Sequence, residues 1–165
     1  MKPTLHKLLY VNIITSVETY LSDCFISLVT KENKLIEKFI KTTPEFCDKK
    51  YTLLDIIEWA SNTKEKVKDY LFEKVIYHNI WKLKNMYEKT LEVYFPGESI
   101  MQKMQNNIAV RHDIIHRNGK TKKGETIIIT NKEINQCISD SKEFIKYIDE
   151  QIKSKYHKSY WLFRH

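Results

Sequence analysis

Apolar residues recur along this chain at intervals of three and four, the spacing that places side chains on one face of an α-helix. In the first thirty residues the intervals are 4-4-3-4-4, through Leu9, Ile13, Val17, Tyr20, Cys24 and Leu28. The pattern predicts a first helix from about residue 2 or 4 to Lys31. A shorter helix from Asn33 to Lys41 is expected to stop before Pro44, because the residue preceding a proline is disfavoured in the helical region.

The middle of the chain predicts a connection over residues 42–50 and a short helix from about Leu53 to Ala60. From Thr63 to about Tyr94 helical spacing returns, with His78-Asn79 as a candidate break. The apolar face of this longer segment comprises Ile76, Ile80, Leu83, Tyr87, Leu91 and Tyr94.

Pro96-Gly97 interrupts the pattern, and Ser99 and Gln102 have the spacing of a capping box that would open the next helix. Asn118-Gly119 is a common helix stop, so this helix is predicted to end there. The apolar face, or seam, of this helix comprises Met101, Met104, Ile108 and Ile115, and Arg111 occupies a position on the same face.

Residues 120–130 contain a turn at Lys123-Gly124 and a β-branched run from Thr126 to Thr130, which predict an irregular segment or one short strand. Thr130 and Glu133 form a second capping box, which would open the last helix. That helix carries its apolar seam on Ile134, Ile138, Ser141, Ile145, Ile148 and Ile152. The fold class expected is all-α, an antiparallel bundle of four to five main helices.

Composition agrees with one helical domain spanning residues 1–165. Only 3 Gly and 3 Pro leave little material for hairpins or glycine-rich phosphate loops. No uninterrupted apolar run approaches the roughly 18–20 residues that span a bilayer, and the N-terminus lacks a signal-peptide pattern. Three cysteines without C-x-x-C spacing are interpreted as buried thiols of a reducing cytosol, namely Cys24, Cys47 and Cys137. A cytoplasmic location without a membrane partner is therefore expected.

The net charge of +7 is concentrated in two acid-free segments. Residues 117–124 carry Arg117, Lys120, Lys122 and Lys123, and the predicted tail 153–165 carries Lys153, Lys155, Lys158 and Arg164. Such segments are either solvated lysine-rich surface or contacts for a phosphate backbone. The tail also contains the aromatic residues Tyr156, Tyr160, Trp161 and Phe163, which would suit stacking on unpaired bases or docking on a neighbouring subunit.

The segment VRHDIIHRNG, residues 110–119, contains the residue types that can cleave RNA without a metal. An imidazole such as that of His116 can move a proton near neutral pH, and the guanidinium of Arg111 can hold a phosphate. Arg111 occupies a seam position, where it needs an acidic partner, a cleft or a subunit interface. Arg111 and His116 are five positions apart in the sequence, which places them about 140° apart around a helix. A site within one chain would need the helix to distort near Asn118, whereas a two-fold axis could bring two motifs together.

His112 and His116 share one helix face, which raises a metal-site alternative. The zinc pattern H-E-x-x-H needs a glutamate where this chain has Asp113, and no third ligand is indicated. We therefore predict no metal and no cofactor.

The motif resembles the HEPN superfamily signature R-x(4–6)-H, in which Asn, Asp or His follows the arginine, as His112 does here. The opening helix Val17-Glu-Thr-Tyr-Leu-Ser-Asp23, and the order of motif helix, short connection and final helix, resemble the RiboL-PSP-like HEPN branch. The resemblance implies Arg111 and His116 as the catalytic pair. It also implies supporting roles for the residues His112, Asp113, Asn118 and, on the first helix, Glu18.

The resemblance implies a metal-independent endoribonuclease that cleaves single-stranded or loop RNA by 2′-hydroxyl attack, in a toxin–antitoxin or phage-defence system. RNA would contact Arg117, Lys120, Lys122 and Lys123. The expected partners are RNA, a second copy with the motif at or near the interface, and an antitoxin or other regulatory protein. Toxins of this superfamily that a nucleotidyltransferase silences carry a tyrosine where this chain has Asn118. The alternative is a non-catalytic helical module that binds RNA or protein.

Overall fold

The computed structural model describes residues 3–48, 50–75 and 77–156, and within these ranges it is all-α. Seven helices are found there and no strand: α1 (Pro3–Lys31), α2 (Asn33–Thr42), α3 (Pro44–Cys47), α4 (Leu53–Glu73), α5 (Ile80–Leu91), α6 (Glu98–His116) and α7 (Asn131–Lys155). The predicted fold class is confirmed. Two predicted features lie outside the described residues: Ile76, predicted on an apolar helix face, and residues 157–165 of the basic tail.

The middle helices differ from the prediction. α4 runs through both the short helix expected at 53–60 and the start of the next one, with a kink at Asn62 (φ −136°, ψ 28°). The expected helix 63–94 is divided, because α4 ends at Glu73 and α5 begins only at Ile80. The candidate break at His78-Asn79 is real, since the Asn79 side chain caps α5 by accepting the Lys82 N–H at 3.1 Å. The expected connection over residues 42–50 contains the single turn α3, with proline in its first turn.

Of the two predicted capping boxes, one is absent and the other is formed in part. The box at Ser99 and Gln102 is wrong, because α6 begins at Glu98 behind Gly97 and the Gln102 side chain donates to Asn106 instead. At the start of α7 half of the predicted box is formed: the Glu133 carboxylate accepts the Thr130 N–H at 2.9 Å, whereas the Thr130 hydroxyl accepts the Lys132 N–H at 3.2 Å in place of the Glu133 N–H. Hydrogen bonds from Thr130 lower the pKa of Glu133.

The chain forms two compact units. The first unit contains the described residues up to Tyr20 together with Phe95–Gln151, and the second contains Leu21–Tyr94 together with the described residues from Ile152. The motif lies in the first unit.

A partly buried polar network joins α1, α6 and α7 in the first unit. The Tyr10 hydroxyl donates to Asn107 Oδ1 at 2.8 Å, and Asn107 Nδ2 donates to Asp140 Oδ2 at 3.1 Å. Gln136 Nε2 donates to the other oxygen of Asp140 at 2.8 Å. Burial raises the pKa of Tyr10, so its hydroxyl stays protonated and able to donate.

Aromatic rings fill the second unit. Phe39 is fully buried, and its ring centroid lies 5.7 Å from that of Phe25, 5.9 Å from that of Phe46 and 6.1 Å from that of Tyr70. Edge-to-face and tilted arrangements of this kind are favourable because ring edges are positive and ring faces negative. The unit is therefore held mainly by apolar burial.

Several predicted seam positions are wrong. In α1, Tyr10 and Ile14 are buried, whereas the predicted Leu9 is 39% exposed. Ile115 at the end of α6 is 44% exposed. In α7 the buried positions include Cys137 and Phe144, while three predicted isoleucines are only half-buried, namely Ile134, Ile138 and Ile145.

By length and composition, residues 4–31 of α1 could cross a membrane, with a mean hydropathy of 1.2. The sequence prediction considered only uninterrupted apolar runs and so did not single out this helix. In the apolar 18-residue stretch of this helix, 44% of the residues are buried within the protein. Two polar residues of this helix, Tyr10 and Glu18, bond to α6, as is usual in a core helix.

Candidate active site at the end of α6

The motif occupies the last turns of α6, which stays regular through His116. Asn118 (φ 51°) and Gly119 (φ 72°) then take left-handed conformations that end the helix where the sequence predicts. The N–H groups of Arg117 and Gly119 both donate to the Asp113 carbonyl, at 3.1 and 3.2 Å. The helix end is thus closed by backbone bonds directly behind the motif.

Arg111 faces α1 and pairs with an acid. Its Nη2 lies 3.5 Å from Glu18 Oε2, and the two side chains are 18% and 13% exposed. Arg111 Nε is buried and has no hydrogen-bond partner among the described residues. A guanidinium has five N–H donors, so one carboxylate can orient it while other donors stay available to a phosphate.

His116 lies beside His112 instead of Arg111. The two exposed imidazole rings have centroids 4.6 Å apart with an interplanar angle of 41°. Because α6 is regular here, Arg111 and His116 remain about 140° apart around its axis. Within the described part of the chain no hydrogen bond or ion pair joins them. The single chain therefore brings together Arg111 with Glu18, and His112 with His116, as two separate pairs.

Asp113 pairs with Arg117 across the last turn of α6, accepting a hydrogen bond from Arg117 Nη1. Asp113 thus holds the helix end by its side chain as well as by its carbonyl. Arg117, predicted to contact RNA, is 35% exposed in its side chain, while Asn118 is exposed.

Residues 119–127 form a small turn that we call the basic hairpin. The Ile127 N–H donates to the Gly119 carbonyl at 2.9 Å, and the Thr121 N–H donates to the Glu125 carbonyl at 2.8 Å. The pairing amounts to a single bridge between Lys120 and Thr126, so the strand considered for Thr126–Thr130 is absent from these described residues. Three exposed lysines of the hairpin are those that the sequence predicts to bind RNA: Lys120, Lys122 and Lys123.

Sequence reasoning missed Lys7, which lies against the motif. Gly119 is buried, and a Cβ atom added to it would clash with Lys7 Nζ. The ammonium therefore lies at the C-terminus of α6, where the helix dipole favours a cation. The neighbouring His6 donates from Nδ1 to the Ile129 carbonyl at 2.9 Å and so ties α1 to the segment beyond the hairpin. No local pattern reveals either contact, because both depend on how α1 packs.

The described residues contain no cluster of three or more His, Cys, Asp or Glu side chains that could hold a metal ion. Cys24 and Cys137 are buried, as predicted, but Cys47 is exposed. Burial raises the pKa of the Cys137 thiol to about 11.

Comparison with known proteins gives one family. The family model RiboL-PSP-HEPN matches residues 2–154, which is nearly the whole chain. No curated protein and no solved structure matches.

Proposed function

Since the chain belongs to the RiboL-PSP-HEPN family, we propose that it is a metal-independent endoribonuclease acting on single-stranded or loop RNA. The observation that carries this proposal is the end of α6. There an arginine oriented by Glu18 and an exposed histidine adjoin a surface of four or more cations. These groups supply proton transfer, charge neutralisation and phosphate binding in one short segment.

In the proposed reaction the ribose 2′-oxygen attacks the adjacent phosphorus and the bond from phosphorus to the 5′-oxygen breaks. His116 either removes the proton of the 2′-hydroxyl as general base or protonates the leaving 5′-oxygen as general acid. Arg111 neutralises the negative charge that builds on the phosphate oxygens. The products are a 2′,3′-cyclic phosphate and a 5′-hydroxyl.

A homodimer is part of the proposal. Arg111 and His116 point to different sides of a regular helix, so one protomer does not present them together. A two-fold axis near the motif would let two copies line one cleft, with one histidine as base and the other as acid. Glu18 would act as a positioning residue, because its carboxylate contacts the Arg111 guanidinium.

RNA would follow the basic hairpin. Lys120, Lys122 and Lys123 are exposed there, and Arg117 and Lys7 add positive charge at its base. Binding through phosphates releases counterions, so affinity should fall as salt rises. DNA would be bound without being cut, because it lacks the attacking 2′-hydroxyl.

We propose a cytoplasmic role in a toxin–antitoxin or phage-defence system, with a regulatory partner that keeps the enzyme inactive. Asn118 stands where related toxins that are silenced by nucleotidyl transfer have a tyrosine, so the regulator would act by another route.

A non-catalytic module that binds RNA or protein is the second candidate. The ion pair between Arg111 and Glu18 favours it, since an arginine with a purely structural role would make the same contact. The two candidates differ in whether RNA is cut.

The deciding assay incubates end-labelled single-stranded RNA with the purified protein in EDTA. The wild type should cut the RNA and leave 2′,3′-cyclic phosphate ends. His116→Ala should lose about 10²–10⁴-fold in rate and Arg111→Ala about 10²–10³-fold. His78→Ala, which changes an exposed histidine outside the motif, is the matched control and should cut normally.

Circular dichroism and sedimentation complete the test. Both motif variants should keep their helicity, and the wild type should sediment at about twice 19.9 kDa. Intact RNA with a salt-sensitive mobility shift would favour the binding module. If Arg111→Ala unfolds the chain while Arg111→Lys folds and cuts RNA at the wild-type rate, the arginine is structural and loses its proposed catalytic role.

A further inference from the structure

The second unit contains a cavity of about 350 Å³ that neither the motif nor the family match explains. One wall is a face of α5 formed by four residues at helical spacing: Lys82, Asn85, Met86 and Lys89. Residues 42–45, where α2 passes into α3, also line the cavity. The buried side chains of Phe39 and Leu83 line the interior.

Three lysines surround this cavity without partners of opposite charge. Lys74, Lys82 and Lys89 are exposed and form no ion pair with an acid of the described residues. Lys84, which lies on α5 outside the cavity, pairs with Glu88 at 4.0 Å. Uncompensated cations around a concave surface create a positive potential that attracts an anion.

The acid that lines the cavity, Glu45, is engaged by a neighbouring hydroxyl. Tyr70 hydrogen-bonds to it, and burial together with Glu45 raises the pKa of Tyr70 to about 12. The tyrosine therefore stays protonated and donates to the carboxylate. Three cations face one acid, so the cavity retains positive charge.

Threonine residues also line the cavity. Thr90 is 1% exposed, and its Oγ1 lies 3.5 Å from Thr42 Oγ1. Thr42 donates its own proton to the Lys38 carbonyl at 2.8 Å, which leaves its oxygen to accept. The lining of the cavity therefore combines exposed cations, threonine hydroxyls and apolar side chains.

We propose that this cavity binds a small organic phosphate of mononucleotide size. Its phosphate would lie among Lys74, Lys82 and Lys89, and its flat or apolar body would contact the half-buried side chains of Val75 and Met86. The volume lies near the lower end of the roughly 300–1,000 Å³ typical of small-molecule sites, which suits one nucleotide. Inorganic phosphate alone would leave the apolar interior unfilled. The site shares no residue with the motif, so it goes beyond the proposed nuclease.

Titration calorimetry of the full chain with each of the four nucleoside monophosphates tests the proposal. At least one should bind saturably, about tenfold or more tighter than inorganic phosphate or the matching nucleoside. The double variant Lys82→Ala/Lys89→Ala should weaken that binding by about tenfold or more. The matched control is Lys64→Ala/Lys68→Ala, which removes the same charge from exposed positions of α4 and should bind as the wild type does.

The proposal is overturned if no monophosphate binds saturably, or if both double variants bind equally well. It is also overturned if Lys122→Ala/Lys123→Ala abolishes binding while Lys82→Ala/Lys89→Ala does not, because the nucleotide would then occupy the basic hairpin. Because the experiment measures binding alone, the result for this cavity does not depend on whether the protein cleaves RNA. All three variants change exposed lysines, and thermal melting close to that of the wild type will confirm that they fold.

Discussion

Different interactions stabilise the interiors of the two compact units. In the first, directional hydrogen bonds run from Tyr10 through Asn107 to Asp140, linking three helices. In the second, aromatic rings pack around the fully buried Phe39. Apolar packing tolerates changes of shape, whereas a hydrogen bond is lost when its partners shift by an ångström or so.

The difference matters because the directional bonds lie beside the motif. Asn107 comes one turn before Arg111 on α6, and each contacts α1, through Tyr10 and Glu18 respectively. The network therefore fixes which face of α6 meets α1, and with it the position of the guanidinium. The position of α6 against α1, in the unit with the candidate site, is therefore fixed by directional hydrogen bonds and not by apolar packing alone.

The largest expected effect comes from removing the central ring of the apolar unit. Phe39→Ala deletes contacts with three aromatic rings and leaves a cavity, which should cost about 3–5 kcal/mol of unfolding free energy. Denaturation in guanidinium chloride measures this loss. Phe72→Ala, at a position that is 57% exposed, is the control and should cost much less. Equal losses for the two variants would contradict the claim that this unit depends on burial at Phe39.

A smaller effect is expected in the polar network. Asp140→Ala leaves the side-chain amides of Asn107 and Gln136 without their acceptor, at a cost of about 1–3 kcal/mol. Asp69→Ala, which removes an exposed carboxylate from α4, is the matched control.

A double-mutant cycle sharpens this prediction. Asp140→Ala and Asn107→Ala should show a coupling energy of about 0.5–3 kcal/mol, because the two residues belong to one network. Additive losses, measured by the same denaturation, would show that the network does not act as a unit.

Local patterns predicted much of the fold. The left-handed stop at Gly119 and the bond from Thr130 to Glu133 follow from residues close in sequence. The apolar seam of α1 was misplaced at Leu9, since this helix is apolar on several faces and spacing alone does not choose among them. The start of α6 was misplaced because Gly97 begins the helix without a side-chain cap.

Contacts between residues far apart in the sequence could not be predicted from these local patterns. Glu18 was predicted from the family resemblance. Its contact with Arg111 depends on how α1 packs against α6, which the sequence pattern does not show. Lys7 beside Gly119 had no signal in the sequence. The cavity of the second unit depends on how α5 packs against residues 42–45, which no periodicity encodes.

The smallest expected effect concerns an exposed charge cluster in the second unit, and it depends on pH. Hydrogen bonds from Lys155 and Lys38 lower the pKa of Glu92 from 4.5 to about 2. Because the folded-state pKa lies below the unfolded value, these contacts stabilise the fold above about pH 4.5. The contribution is lost as pH falls toward 2. Urea denaturation of the wild type and of Glu92→Gln should therefore differ at pH 7 and converge as pH falls from 4.5 to 2. Because the groups are exposed, high salt should also reduce the difference at pH 7. A difference that stays constant across this pH range would show that Glu92 acts through its left-handed backbone position (φ 52°) or through packing, and not through charge.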